Sequence, residues 1–159
     1  MIQEICLTEA MPLINSIKKL PYSSRELFDL VLDIDSYHEF LPYCISSRII
    51  SKDPLIAELT VAVSAFSESY SSSIVTNNLE GVLGIEVKAL DGPFEYLDTI
   101  WRFQEDNDGT IVEFSLDFEF KSLLLGGLMN KLFSKAQSMM LDAFEKRAEY
   151  KYGANRHQI

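Results

Sequence analysis

The sequence predicts an α+β fold in which one long amphipathic helix lies across the dry face of a curved sheet. Two observations carry this reading. Val112, Phe114, Leu116, Phe118 and Phe120 alternate with Ile111, Glu113, Ser115, Asp117 and Glu119, which gives a strand one dry and one wet side. After Lys121-Ser122, apolar residues then recur at helical spacing: Leu125, Leu128, Met129, Leu132, Phe133, Ala136, Met139, Met140, Ala143 and Phe144. Two dry surfaces brought together either pack solid or enclose a cavity.

The elements follow in order. Residues 13–20 predict a first strand, ended by Pro21. Ser23 or Ser24 caps a helix, with Glu26 in the first turn where a carboxylate complements the helix dipole. Leu27, Phe28, Val31 and Leu32 form its apolar stripe. Ile34–Phe40 predicts a second short helix, closed by Leu41-Pro42 because the residue before proline avoids the α region.

From Ile45 the period changes to two. Ile45–Lys52 predicts a strand and Asp53-Pro54 a turn. Leu55, Ala57, Leu59, Val61, Val63 and Ala65 mark a half-buried strand. Phe66–Thr76 continues as another, with serines 67, 69, 71 and 73 on one face and a turn at Asn77-Asn78. Gly81–Leu90 puts Leu83, Ile85, Val87 and Ala89 on the dry side. Asp91-Gly92-Pro93 turns into Tyr96–Gln104, where Leu97, Thr99, Trp101 and Phe103 share a face. A polar loop at residues 105–109 leads to Thr110–Phe120. The final helix spans Leu123 to Tyr152, about 45 Å at 1.5 Å per residue, with Gly153 as its stop signal. The order is one strand, two helices, six strands and a long helix.

At 159 residues the chain predicts a single domain over 11–153, with a loose tail at 1–10 and another at 154–159. Met11-Pro12 offers a second start site. The N-terminus has no basic region of a secretory signal and none of the arginines of a transit peptide. No apolar run approaches the roughly 20 residues that cross a bilayer. A cytoplasmic, bacterial-type protein is expected. The net charge of −10 argues against extended nucleic-acid contact, since phosphate binders depend on cations. Cys6 and Cys44 lie far apart and fit no metal spacing, so neither a metal nor a structural disulfide is expected.

Three strings refine the reading. Tyr37-His38-Glu39-Phe40-Leu41-Pro42-Tyr43-Cys44 is similar to a Tyr-Pro-x-Phe-Leu-Pro-x-Cys pattern. Asp91-Gly92-Pro93-Phe94 is the second. Val112–Phe120 is the third, with Ala143-Phe144-Glu145-Lys146-Arg147-Ala148 downstream. Together, over residues 11 to 153, they resemble the coenzyme Q-binding and ribosome-association-toxin family of the START-like superfamily, the polyketide cyclase or helix-grip fold. The chain departs from that pattern at His38, usually proline, and at Tyr43, often tryptophan.

The resemblance implies a seven-stranded antiparallel sheet curled around the C-terminal helix, with a hydrophobic cavity between them. It also implies one of two roles: binding of a polyisoprenoid quinone in support of respiration, or binding to the large ribosomal subunit.

Catalytic constellations are weak. A Cys/His pair would have to use His38 and Cys44, and would also need an orienting third group. Asp117 and Glu119 fall on the wet face with Glu113, where carboxylates are solvated. A polyketide cyclase or aromatase would need an acid or base on the dry face. Thr99 is nearly the only polar residue there, and Tyr43 or His38 the expected titratable ones.

The expectation is therefore a non-enzymatic lipid binder with no cofactor other than a ubiquinone-like ligand, and with transient membrane contact. Phe40, Leu41 and Tyr43 are expected at the mouth, Leu128 and Leu132 on the helix side, and Trp101, Phe103, Phe114, Leu116 and Phe118 along the wall. Met129, Met139 and Met140 supply adaptable apolar surface. Gly126-Gly127 suggests a hinge near the helix start, since glycine there costs about 1 kcal/mol relative to alanine. The rival is a translation inhibitor that docks on the ribosome through a local patch such as Lys121, Lys131 and Lys135.

Overall fold

The computed structural model describes residues 13–63, 65–122 and 138–153. The strands are β1 (Leu13–Leu20), β2 (Cys44–Lys52), β3 (Leu55–Val63), β4 (Phe66–Leu79), β5 (Val82–Ala89), β6 (Phe94–Asp106) and β7 (Gly109–Phe120). They form one seven-stranded sheet in the order β1-β7-β6-β5-β4-β3-β2, antiparallel at every ladder. Helix α1 (Ser24–Leu32) and a 3₁₀ helix (Ile34–Glu39) follow β1. Residues 138–153 form a helix, α2. The rest of the expected long helix, with Gly126-Gly127, lies outside the described residues.

The period-two reading of β7 holds in space. Val112, Phe114, Leu116, Phe118 and Phe120 are all buried, whereas Glu119 is exposed and the other alternates half-buried. Ser23 caps α1 in a capping box: its side chain accepts from the Glu26 N–H, and the Glu26 carboxylate accepts from the Ser23 N–H. Two donors that a helix start leaves orphaned are thereby satisfied. The α1 stripe of Leu27, Phe28, Leu30 and Val31 is buried, with Phe28 edge-on to Phe103 at 6.2 Å.

Three boundaries differ from the sequence reading. Asn77 and Asn78 are not a turn; they pair with Gly84 and Leu83 inside the β4–β5 ladder. Gly84 makes room, since a Cβ there would stand 2.5 Å from the Asn77 amide oxygen. The reversal falls at Glu80-Gly81, with φ of 54° and 90°, the paired positive values of a tight hairpin turn. β6 begins at Phe94 rather than Tyr96, with a register shift between those residues. β2 begins at Cys44 rather than Ile45.

The dry face has two halves. Toward α1 it packs closely, around Phe103, Val112, Leu27 and Val31, leaving a space of only about 40 Å³. Helix α2 is tied over this end: Tyr152 donates to the Glu26 carbonyl at 3.1 Å, and Lys18 pairs with Glu145. Trp101 stands on the divide, and beyond it the sheet is hollow. Among the described residues no helix is long and apolar enough to cross a membrane.

Candidate functional site

The hollow half is a cavity of about 140 Å³. Its floor is the dry face of β3 to β7: Ala57, Leu59, Tyr70, Ser72, Ile74, Val87, Leu97, Thr99, Trp101, Phe114 and Leu116. Its roof is the segment Leu41-Pro42-Tyr43-Cys44, with Met140 and Phe144 from α2. The 3₁₀ helix supplies Ile34 and Tyr37.

The roof is built from two of the strings seen in the sequence. Tyr37 donates to the Val31 carbonyl, which pins the 3₁₀ helix to α1. Its ring stands edge-on to Phe40 at 6.0 Å and to Phe144 at 5.4 Å. Phe144 also meets Phe40 at 5.3 Å and Trp101 at 5.2 Å. Arg147 closes the joint from outside. Its guanidinium pairs with Glu39 at 2.8 Å and lies 4.9 Å over the Phe40 ring. Thus residues 37–44 and 143–148 are two halves of one contact.

Tyr43 has φ 68° and is 40% exposed. A non-glycine residue in that region is strained, by about 1–3 kcal/mol. The Tyr43 carbonyl accepts from the Ala62 N–H at 2.9 Å, which holds the loop on β3. An exposed ring that also lines the cavity marks its mouth.

The expected wall and mouth residues separate. Leu41, Tyr43, Trp101, Phe114 and Leu116 line the cavity together. Phe40 instead faces an outer groove with Met139, Arg147 and Tyr150, because its ring is held between Phe144 and Arg147. Phe103 stacks behind Trp101 at 5.9 Å and packs on α1. Phe118 is 0% exposed, near the rings of Phe94 and Phe120, and backs the wall without lining it. Leu128 and Leu132 lie outside the described residues. Sequence reasoning missed Tyr37, Tyr70, Ser72, Ile74, Phe94 and Phe144 as lining residues. For Tyr70, Ser72 and Ile74 the signal was present, as the positions that alternate with serines 67, 69, 71 and 73 on β4.

Among the described residues, no carboxylate, ammonium, guanidinium or imidazole lines the cavity. The titratable lining groups are Tyr37, Tyr43, Tyr70 and Cys44, rather than Tyr43 or His38 alone. Burial pushes the Tyr37 and Tyr70 phenols and the Cys44 thiol upward, so these groups stay neutral. His38 is exposed, with Nδ1 3.1 Å from the Ser47 hydroxyl, while the Cys44 thiol donates to the Ser46 carbonyl at 3.5 Å. Both also interact with Ser47, and no direct hydrogen bond joins them. Asp117 accepts from the Tyr96 hydroxyl at 3.2 Å and Glu113 faces Arg102 at 4.0 Å, both away from the cavity. Among the described residues, no three of His, Cys, Asp and Glu stand together as metal ligands.

Comparison with known proteins places this architecture. A sequence model of the family "Polyketide cyclase / dehydrase and lipid transport" matches residues 20–145. The chain is 41% identical over 135 residues to the ribosome association toxin RatA of Rickettsia prowazekii, covering 83% of this chain and 92% of that one. It is 35% identical over 143 residues to the coenzyme Q-binding protein COQ10 homolog B, mitochondrial, of Xenopus laevis, covering 86% of this chain and 57% of that one. A START superfamily protein of Mycobacterium smegmatis superposes with a TM-score of 0.73 at 19% identity, covering 87% of this chain and 97% of that one. The fold is the helix grip. The chain belongs to the polyketide cyclase / dehydrase and lipid transport family, in the START-like branch shared by ribosome association toxins and coenzyme Q-binding proteins.

Proposed function

We propose that this chain binds a polyisoprenoid quinone of the ubiquinone type and shields it as a non-enzymatic carrier in respiratory electron transport. One observation carries the reading: an apolar, uncharged cavity beneath a roof of aromatic rings. A dry cavity of about 150 Å³ takes up a benzene-sized molecule, whereas drug-sized ligands fill about 300–1,000 Å³. The cavity of about 140 Å³ therefore suits a ring alone, with the larger substituents and the tail toward the mouth at Tyr43. Desolvation drives binding, each buried methylene contributing about 0.8 kcal/mol. The relative named for coenzyme Q binding supports the ligand class. The lining supports a carrier over a cyclase, since among the described residues no carboxylate, ammonium, guanidinium or imidazole faces the cavity. The carrier would be cytoplasmic and meet the inner membrane only transiently.

Lipid extraction and native mass spectrometry of purified protein test this. A quinone at one per chain is expected. Protein that emerges empty and takes up no added decylubiquinone contradicts it.

A second reading, association with the large ribosomal subunit, is favoured by the relative named for it, which the chain covers over 92% of its length. The charge pattern opposes it. Among the described residues, every Lys and Arg other than Lys52, Lys121 and Lys146 stands within 4.0 Å of a carboxylate. Few cations remain free to neutralise phosphate. Lys121 belongs to the patch expected from the sequence; Lys131 and Lys135 lie outside the described residues. Sedimentation with large subunits, lost steeply between about 50 and about 200 mM salt, would establish this role.

A further inference from the structure

We infer that Ser72 is the ligand's polar anchor: its hydroxyl donates a hydrogen bond to an oxygen on the ligand's ring, so the lipid enters ring first. This rests on the quinone reading above and adds to it an orientation and a selectivity. Ser72 lies on β4 at the floor of the cavity and is 2% exposed. Its Oγ has no hydrogen-bond partner among the described residues. A buried hydroxyl left unpaired is destabilising, and alanine would occupy the same place without that cost.

The residues that pair with it across the sheet are small. Ser72 is flanked in register by Ala57 on β3 and Ala89 on β5, so no bulky side chain stands beside it across either ladder and a small shift of the lining opens the hydroxyl to a ligand. Along β4 its neighbours on the same face are Tyr70 and Ile74. The floor at Ser72 thus carries a buried donor without a partner, with Tyr70 and Thr99 as the other hydroxyl-bearing residues of the floor. A ring bearing a carbonyl or methoxy oxygen meets that donor; a plain hydrocarbon ring leaves it unpaired. The tail, which has no hydrogen-bonding atom, is left to the apolar mouth at Leu41 and Tyr43.

The test compares wild type with Ser72→Ala, using calorimetric titration with decylubiquinone and with decylbenzene, and thermal melts without ligand. Loss of a neutral hydrogen bond is expected to weaken decylubiquinone binding about three- to tenfold and to leave decylbenzene binding unchanged. The unliganded Ser72→Ala protein is expected to melt about 2–4 °C higher, as removal of an unpaired hydroxyl predicts. Equal decylubiquinone affinity in both proteins overturns the anchor and leaves the quinone reading intact. A lower melting temperature in the variant also overturns it, because the hydroxyl would then be satisfied within the fold. Binding of neither probe by wild type overturns the quinone reading, and the anchor falls with it.

Discussion

Phe144 and Arg147 show how single residues set the site. Phe144 is 6% exposed and meets Tyr37, Phe40 and Trp101, so one ring from α2 joins the 3₁₀ helix, the loop and the sheet. Aromatic pairs of this geometry contribute about 0.5–1.5 kcal/mol each beyond the area they bury. Arg147 adds a planar cation over Phe40 that a lysine ammonium would not reproduce. Tyr70 allows a prediction by pH. Burial raises its folded pKa above the ordinary value of 10.0, so the native state keeps a proton that the unfolded chain releases. The stability contribution is complete below that value and falls as pH rises above it. Between about pH 9 and about pH 11, urea midpoints of wild type should drop more than those of Tyr70→Phe. Equal drops would show that the phenol titrates normally.

Among the elements, α1 depends on its first turn. The Ser23–Glu26 capping box predicts that Ser23→Ala lowers stability by about 1 kcal/mol, read as a shift in urea midpoint at constant slope. The turn before β6 depends on Gly92. Its φ is 94°, and a Cβ there would stand 2.4 Å from the Tyr70 Cβ, so only glycine lets this turn close over a lining residue. Most elements were legible in the sequence because their alternation reports which face is dry, as for Trp101, Phe114 and Leu116. Irregular pairing was not. Phe94 and Leu97 are both buried, although strict alternation would put them on opposite faces; the shift between Phe94 and Tyr96 reverses the parity. On β4 the conspicuous serines mark the wet face, and the lining residues Tyr70, Ser72 and Ile74 stand opposite them. Alternation also fails to separate hollow from solid. Leu116 lines the cavity, whereas Phe118, on the same face of β7, is packed behind its wall.

For the molecule as a whole, the sheet's dry face is closely packed where α1 covers it and hollow where residues 41–44 and α2 do. On the proposed reading, substitutions at Phe28, Phe103 or Val112 are expected to act on folding, and those at Leu41, Ser72 or Thr99 also on what the cavity takes up. On the proposed reading, the acidic surface, with most described cations paired, would disfavour contacts held by phosphate. Trp101 is the chain's only tryptophan and lines the cavity, so its fluorescence reports directly on whether the hollow is filled. Titration with decylubiquinone is predicted to quench it saturably at one ligand per chain, with decylbenzene shifting the emission without quenching. Emission that stays unchanged through saturating decylubiquinone would contradict the account.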